Sequence, residues 1–204
     1  AVALGEKLFG PVRDDQSFSL ISVGEGIGCA HILDGRLYRG ARGGAGEIAH
    51  ATIEPGGLPC RCGKRGCLDT ISSLVAIRSS ARAKGLPEDL GELEKLAGQG
   101  NAEATDILHR AGFALGLAIS QIIQIVDPGR VVVTHLHGAL DGLYGTVARA
   151  AIEANVLPQV ASRIPIDFLR VSSDTWARGA ASIARLKFLS DPRFPASAGA
   201  SQPV

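Results

Sequence analysis

Gly46-Glu47-Ile48-Ala49-His50, followed across Pro55 and Pro59 by Cys60-Arg61-Cys62-Gly63-Lys64-Arg65-Gly66-Cys67-Leu68-Asp69, is the stretch from which the rest of this chain can be read. It holds three of the four cysteines. Two thiols separated by one residue, a third five residues on and an imidazole upstream supply three sulfurs and one nitrogen. That is the donor set a closed tetrahedral Zn(II) site takes. Gly63 and Gly66 permit the tight turns such a loop needs. Cys60 and Cys62 are too close in sequence for an easy disulfide. Cysteines can also pack inertly as small hydrophobes, but Pro59, Arg61, Gly63, Lys64, Arg65 and Gly66 are loop residues and a poor setting for a core. His50, Cys60, Cys62 and Cys67 are therefore the expected metal ligands.

These residues carry a resemblance. Gly-Glu-Ile-x-His followed by Cys-x-Cys-Gly-x-x-Gly-Cys-Leu and an acidic residue resembles the ROK family, a bacterial group that joins sugar kinases to sugar-responsive transcriptional repressors. Similarity extends to residues 1–10, 23–28, 37–46, 127–133 and 177–181. The resemblance implies an α/β protein of actin-like, ribonuclease-H-like sugar kinase fold, mainly its C-terminal lobe, with a zinc-binding loop. It makes His50, Cys60, Cys62 and Cys67 the zinc ligands and puts Glu47, His50 and Asp69 around a bound monosaccharide or sugar phosphate. The family's Asn-Asp-x-Asn element with its catalytic aspartate, and its Asp-x-Gly-x-Thr phosphate loop, would both precede Ala1.

The 204 residues suffice for one domain with a sizeable core or for two small lobes. A net charge of +1 shows no basic stripe of the kind a module gripping DNA by itself needs. No signal-type opening run or long uninterrupted apolar span is evident, so a cytoplasmic protein is expected. The chain opens at Ala1 within a helical pattern and contains no methionine, which reads as a piece of a longer protein.

In chain order, residues 1–9 have helical composition and Gly10-Pro11 stops them. Residues 18–23 and 29–33 read as strands, Asp34-Gly35 as a hairpin turn, and residues 36–38 as the start of a third strand. Cys29 is expected to pack in the core, and His31, on the same strand face, to be structural. Glu47 and His50 share a face if a helical turn begins there. Residues 70–84 read as one helix with Ile71, Leu74, Val75 and Ile77 on its apolar side, and Asp69 suits either its N-terminus or a sugar contact. A short polar helix spans residues 88–97. The longest helix starts at the N-cap residue Asn101 and runs to Val126 as the buried spine. Ser120, Gln121 and Gln124 interrupt it and argue against a membrane span. Residues 130–134 form a strand of a sheet covered on both faces, with His135 and His137 in the loop after it. A helix over residues 140–157, a strand over 164–171 and a helix over 174–189 complete an effector domain of residues 1–190. Residues 191–204 are expected to be a disordered tail.

Glycines 24, 26 and 28 suit close approach to a phosphate or a sugar, a weak signal on its own. An active kinase of the family would have Gly-Thr-Gly-x-Gly here and a Gly-Gly pair after the strand at residues 130–133. This chain has Glu25 for the threonine and Thr134-His135 for the glycines. Gly24, Glu25, Gly26 and Gly28 thus read as a degenerate phosphate loop, whereas the sugar half is largely kept. The expected function is the zinc-containing, sugar-sensing, non-catalytic effector domain of a ROK transcriptional regulator, a dimer or tetramer that reaches DNA through an upstream helix-turn-helix. The alternative is the C-terminal part of an ATP-dependent sugar kinase.

Overall fold

A computed structural model describes residues 1–136, 138–161, 163–172 and 174–190. They form two compact units, one built from residues 1–14 with the last helix, the other spanning residues 15–172. His137 and residues 191–204, on which a loop position and a tail were expected, lie outside the described residues.

In the first unit, helix α1 (Val2–Phe9) packs on α8 (Asp174–Ser190). Gly10 ends α1, its N–H bonding the Glu6 carbonyl. Glu6 is buried, which raises its pKa, with Arg178 opposing the shift.

The second unit is organised on a five-stranded sheet of order β3-β2-β1-β4-β5. Strands β1 (Phe18–Val23), β2 (Ile27–Leu33) and β3 (Arg36–Tyr38) form an antiparallel meander. Asp34 and Gly35, both at positive φ, make the β2–β3 turn. Strand β4 (Val131–His135) then pairs in parallel with β1, and β5 (Ile166–Arg170) with β4. The helices lie in the crossovers: α2 (Asp69–Ser72), α3 (Leu74–Ala83), α4 (Leu90–Gly98) and α5 (Ala102–Val126) before β4, and α6 (Leu143–Asn155) and α7 (Pro158–Ala161) before β5. The α/β expectation is met.

Helix α5 is the spine. Asn101 caps it by accepting the Ala104 N–H, and Asp127 closes it in the left-handed region at φ +48°. By length and composition alone α5 is apolar enough to cross a membrane. Here that apolarity is spent inside the protein: Leu108, Leu115 and Ile119 are fully buried, each contributing roughly 1.5–3 kcal/mol. Its closest neighbour is α6. Gly112 and Gly116, one turn apart on α5, let the two helices approach to backbone contact. A Cβ on Gly112 would stand 2.5 Å from the Tyr144 carbonyl oxygen, and one on Gly116 2.4 Å from that of Ala148.

Three expectations are corrected. The single helix expected over residues 70–84 is broken at Ser73, whose extended backbone (ψ 154°) separates α2 from α3 while its Oγ accepts the Ala76 N–H. An internal serine that caps the next turn offers the chain a way out of the helix. Val75, assigned to the apolar side, is consequently half exposed. His135 is no loop residue: it is the last residue of β4 and only 2% exposed. Its Nδ1 accepts the Leu140 N–H at 3.4 Å and its Nε2 lies 3.7 Å from Asp141 Oδ1. Burial holds its pKa below the usual imidazole value, with Asp141 opposing.

Helix propensity favours alanine over glycine by about 1 kcal/mol, so at an unconstrained position Gly116→Ala would stabilise. Against α6 it is expected to destabilise by about 1–3 kcal/mol, measured by urea unfolding. A variant as stable as the parent or more so would refute backbone contact between α5 and α6.

Candidate metal centre and ligand pocket

Strand β2 leads through β3 and a glycine-rich loop to a single 3₁₀ turn at Ile48–His50, where the His50 N–H bonds the Glu47 carbonyl at 3.1 Å. From there the chain runs out and back. Leu68 N–H meets the Ala51 carbonyl at 2.9 Å, Ile53 N–H meets Gly66 at 2.9 Å, and Cys60 N–H meets Lys64 at 2.8 Å. Gly66 sits at φ +71°, and a Cβ there would overlap the Glu54 carbonyl. Only glycine fits this reversal.

The result is a cluster of the four expected donors. One ligand atom from each of His50, Cys60, Cys62 and Cys67 lies within 4.8 Å of all the others. His50 Nδ1 is 3.5 Å from Cys60 Sγ, and Cys62 Sγ is 3.6 Å from Cys67 Sγ. Metal–sulfur bonds of about 2.3 Å and metal–nitrogen bonds of about 2.0 Å at tetrahedral angles give edges of about 3.8 and 3.5 Å. Donor chemistry and spacing therefore both fit a metal ion. Cys67 is fully buried, and burial reinforced by the neighbouring thiols pushes its pKa up to about 11. Cys62 is exposed and held below the usual thiol value, chiefly by a hydrogen bond with the Lys64 backbone. Lys64 Nζ also donates to the His50 carbonyl at 2.5 Å, a cation beside the sulfurs.

The structure divides the expected sugar-contact residues. His50 belongs to the donor cluster. Asp69, two residues after Cys67, opens α2 but does not cap it; its Oδ1 accepts the Ile27 N–H at 3.0 Å and so ties down the turn between β1 and β2. It lines a hollow of about 700 Å³ together with Gly26, Cys60, Arg61, Ser79 and Ser80. Glu47 and His50 do not line that hollow, and among the described residues the exposed Glu47 carboxylate has no partner.

In the turn between β1 and β2, expected to be a degenerate phosphate loop, Gly24 N–H bonds the Gly26 carbonyl at 3.1 Å, and Glu25 pairs with Arg78 of α3. That hydrogen bond lowers the Glu25 pKa. A second hollow, about 490 Å³, opens beside it between Glu25, Arg78, Glu88, Asp89, Leu136 and Ala139. Arg78 was not singled out from the sequence. Its only local signal is a basic residue on the helix after the loop, and the pairing spans 53 residues.

Cys29 is half buried as a packing thiol, its Sγ 3.8 Å from His31 Nε2, and burial pushes its pKa up to about 12. His31 Nδ1 shares a 2.8 Å hydrogen bond with Ser19 Oγ inside the sheet. Both therefore act structurally.

Removing the Asp69 acceptor strands a buried amide, which costs about 1–3 kcal/mol. Asp69→Ala is accordingly expected to lose that much in chemical unfolding, whereas Asp69→Asn, which keeps an oxygen at Oδ1, stays within about 1 kcal/mol of the parent. Equal losses in the two variants would show that the charge, and not the hydrogen bond to Ile27, is what matters.

The chain matches the ROK family over residues 1–187. It is 28% identical over 189 residues to the xylose repressor of Bacillus spizizenii, covering 93% of this chain and 49% of that protein. The ROK hexokinase from Thermus thermophilus has a similar structure, with a TM-score of 0.77 and 31% identity over 88% of this chain and 62% of that one. A ROK family transcriptional regulator, a homologue of the E. coli MLC protein, gives a TM-score of 0.75 and 30% identity, covering 90% of this chain and 49% of that one. The chain thus spans about half the length of the repressor and the regulator, and slightly more of the kinase. The family match takes in nearly all of the described residues, and on it the chain belongs to the ROK family.

Proposed function

We propose that this chain is the sugar-sensing portion of a ROK transcriptional regulator and performs no phosphoryl transfer. One observation carries the choice: the position that would cradle a phosphate holds Glu25, kept ionised by Arg78. A carboxylate at that position repels a phosphate, the more so the less water lies between them. Arg78 offsets part of that charge; Glu88 and Asp89 line the same hollow, Glu88 paired with Arg82 and Asp89 capping α4. Thr134 and His135, where the family's kinases have glycines, are both buried in β4 and remove room. The kinase reading draws on the 31% identity to a hexokinase.

In the sensor reading, Asp69 meets the hydroxyls of a sugar seated in the hollow, and Glu47 and the outward edge of His50, which do not line it, would meet the sugar from beyond its edge. A ligand then shifts the protein between two states only by its differential affinity for them. His50, Cys60, Cys62 and Cys67 would hold Zn(II), which when bound supplies a structural cross-link. The chain's own part is to present Nδ1 of His50 inward to the sulfurs, leaving Nε2 to donate to a ligand oxygen. DNA would be reached through a helix-turn-helix outside this chain, in a cytoplasmic dimer or tetramer.

Two measurements test these readings. Elemental analysis of chelator-free protein is expected to find one zinc per chain. A thiol reagent should then react with the exposed Cys62 once the metal is chelated and with Cys29, whose thiol burial pushes up to about 12, only on unfolding. Metal-free protein with intact fold would refute the zinc site. In a coupled ATPase assay on the full-length protein, a panel of sugars is expected to give no turnover while at least one gives binding heat in calorimetry; turnover with any sugar overturns the sensor reading.

A further inference from the structure

We propose that Cys62 is a site of reversible oxidation by hydroperoxides, closed by Cys67 into a disulfide that releases the metal. The inference goes beyond the sugar-sensing reading and rests only on His50, Cys60, Cys62 and Cys67 as metal ligands. The three thiols of the cluster differ in their access to solvent. Cys67 is fully buried and Cys60 is 8% exposed, whereas Cys62 stands exposed. An oxidant dissolved in water therefore meets one sulfur of the three first.

That sulfur has a resolving partner beside it. Cys62 Sγ lies 3.6 Å from Cys67 Sγ. A disulfide needs its sulfurs about 2 Å apart, so closure asks for a short movement inside a loop that is already folded. Gly63 at φ +89° and Gly66 at φ +71° make the turns between the two cysteines. The Cys60 N–H bonds the Lys64 carbonyl and the Gly66 N–H the Leu58 carbonyl, each at 2.8 Å, and neither bond needs the sulfurs. Cys60 is the other candidate partner, but one residue from Cys62 it is too close in sequence for an easy bridge. Its Sγ also faces His50 Nδ1, at 3.5 Å.

The chemistry balances with hydrogen peroxide as the oxidant. The Cys62 thiolate attacks one peroxide oxygen; the S–O bond forms, the O–O bond breaks, and hydroxide leaves to take a proton from water. The Cys67 sulfur then attacks the Cys62 sulfenic acid; the S–S bond forms, the S–O bond breaks, and a second hydroxide leaves. Two sulfurs are oxidised by one electron each, and one peroxide is reduced to two hydroxides. Two of the four donors are thereby withdrawn, and His50 and Cys60 alone do not make a closed tetrahedral shell. Because Cys62 is exposed, the bridge presents a sulfur to reducing thiols, the setting of labile rather than permanent disulfides.

The test treats zinc-loaded full-length protein with hydrogen peroxide and follows zinc with a chromophoric chelator, free thiols with a thiol reagent, and the bridge by peptide mapping. About one zinc and about two thiols per chain are expected to be lost together, and both to return with dithiothreitol and zinc. Trypsin, cutting after Arg61, Lys64 and Arg65, puts Cys60, Cys62 and Cys67 on three different peptides. The bridge should join residues 62–64 to residues 66–78. Cys62→His, which keeps four donors of metal-binding type, is expected to hold its zinc under the same treatment, with an unchanged circular dichroism spectrum showing that it is folded. Should that variant fail to fold, the mapping on the parent protein decides alone. Zinc retained by the parent in excess peroxide, a bridge through Cys60, oxidation that dithiothreitol does not reverse, or a folded Cys62→His that loses zinc as fast as the parent overturns the proposal and leaves the zinc site standing. Reduced protein that holds no zinc overturns the zinc site and the proposal with it.

Discussion

The convergence of one imidazole and three sulfurs within 4.8 Å is the constraint on which the rest of the site depends. Between Ala51 and Leu68 the chain has few apolar residues with which to build a core of its own. Its shape is set by a ladder of backbone hydrogen bonds, three glycines at positive φ and the cluster of donors. Thiols crowded this way gain little from one another. A divalent ion, if bound, would turn the same crowding into a cross-link, of a kind worth about 10–16 kcal/mol in small zinc domains at neutral pH. Asp69 follows the last cysteine by two residues and Arg61 separates the first two. The charged groups of the pocket therefore take their positions from the loop.

A second frame holds the pocket from behind. Ser73 Oγ donates to the Asp69 carbonyl at 2.6 Å, and the neighbouring Ser72 donates to the Ala111 carbonyl in the middle of α5 at 2.8 Å. Tyr144, fully buried in α6, donates to the Ser72 carbonyl at 2.6 Å. The N-terminus of α6 is in turn held by Glu94, whose carboxylate accepts the N–H groups of Leu143 and Tyr144 at 2.7 and 3.1 Å. This places a carboxylate where the helix dipole favours one. The same short backbone segment that carries Asp69 is thus bonded to α5 and, through Tyr144, to α6. The glycine contact between α5 and α6 keeps those two helices from sliding relative to each other.

Local chemistry was legible in the sequence where a residue type has few alternatives. Three cysteines and a histidine in a loop of glycine and proline leave little else to be. Asn101 before a long apolar run is an N-cap, and Val131 to Val133 can only be a covered strand. What stayed hidden is non-local. Ser73 breaks a pattern that reads as one helix by capping the next turn, while the neighbouring Ser72 is drawn into a tertiary hydrogen bond with Ala111. His135 is buried because Leu140 and Asp141, several residues on, fold back to meet it. Asp69 looks like a helix cap or a ligand contact, and its acceptor role to Ile27 joins positions 42 residues apart. Arg78 could not be paired with Glu25 before the turn and α3 were placed side by side. Spacing predicts which groups have metal-binding chemistry, but it does not say which charges cancel across the fold.

Those cancelled charges bear most directly on the choice between kinase and regulator. A glycine-rich turn binds phosphate by offering unused backbone N–H groups. Here the Gly24 N–H is bonded to Gly26 and the Ile27 N–H to Asp69. Asp69 also has its second oxygen facing Arg61 across the hollow. A single carboxylate therefore draws on an amide of the turn and at the same time forms part of the wall where a sugar would sit. Any nucleotide phosphate entering the turn would have to displace that carboxylate and then face Glu25. In the proposed sensor reading a sugar would enter the hollow beside Asp69 without opening the turn. A preference for one kind of ligand over the other would then follow, on that reading, from where one anionic side chain is held, two residues beyond the last cysteine of the loop.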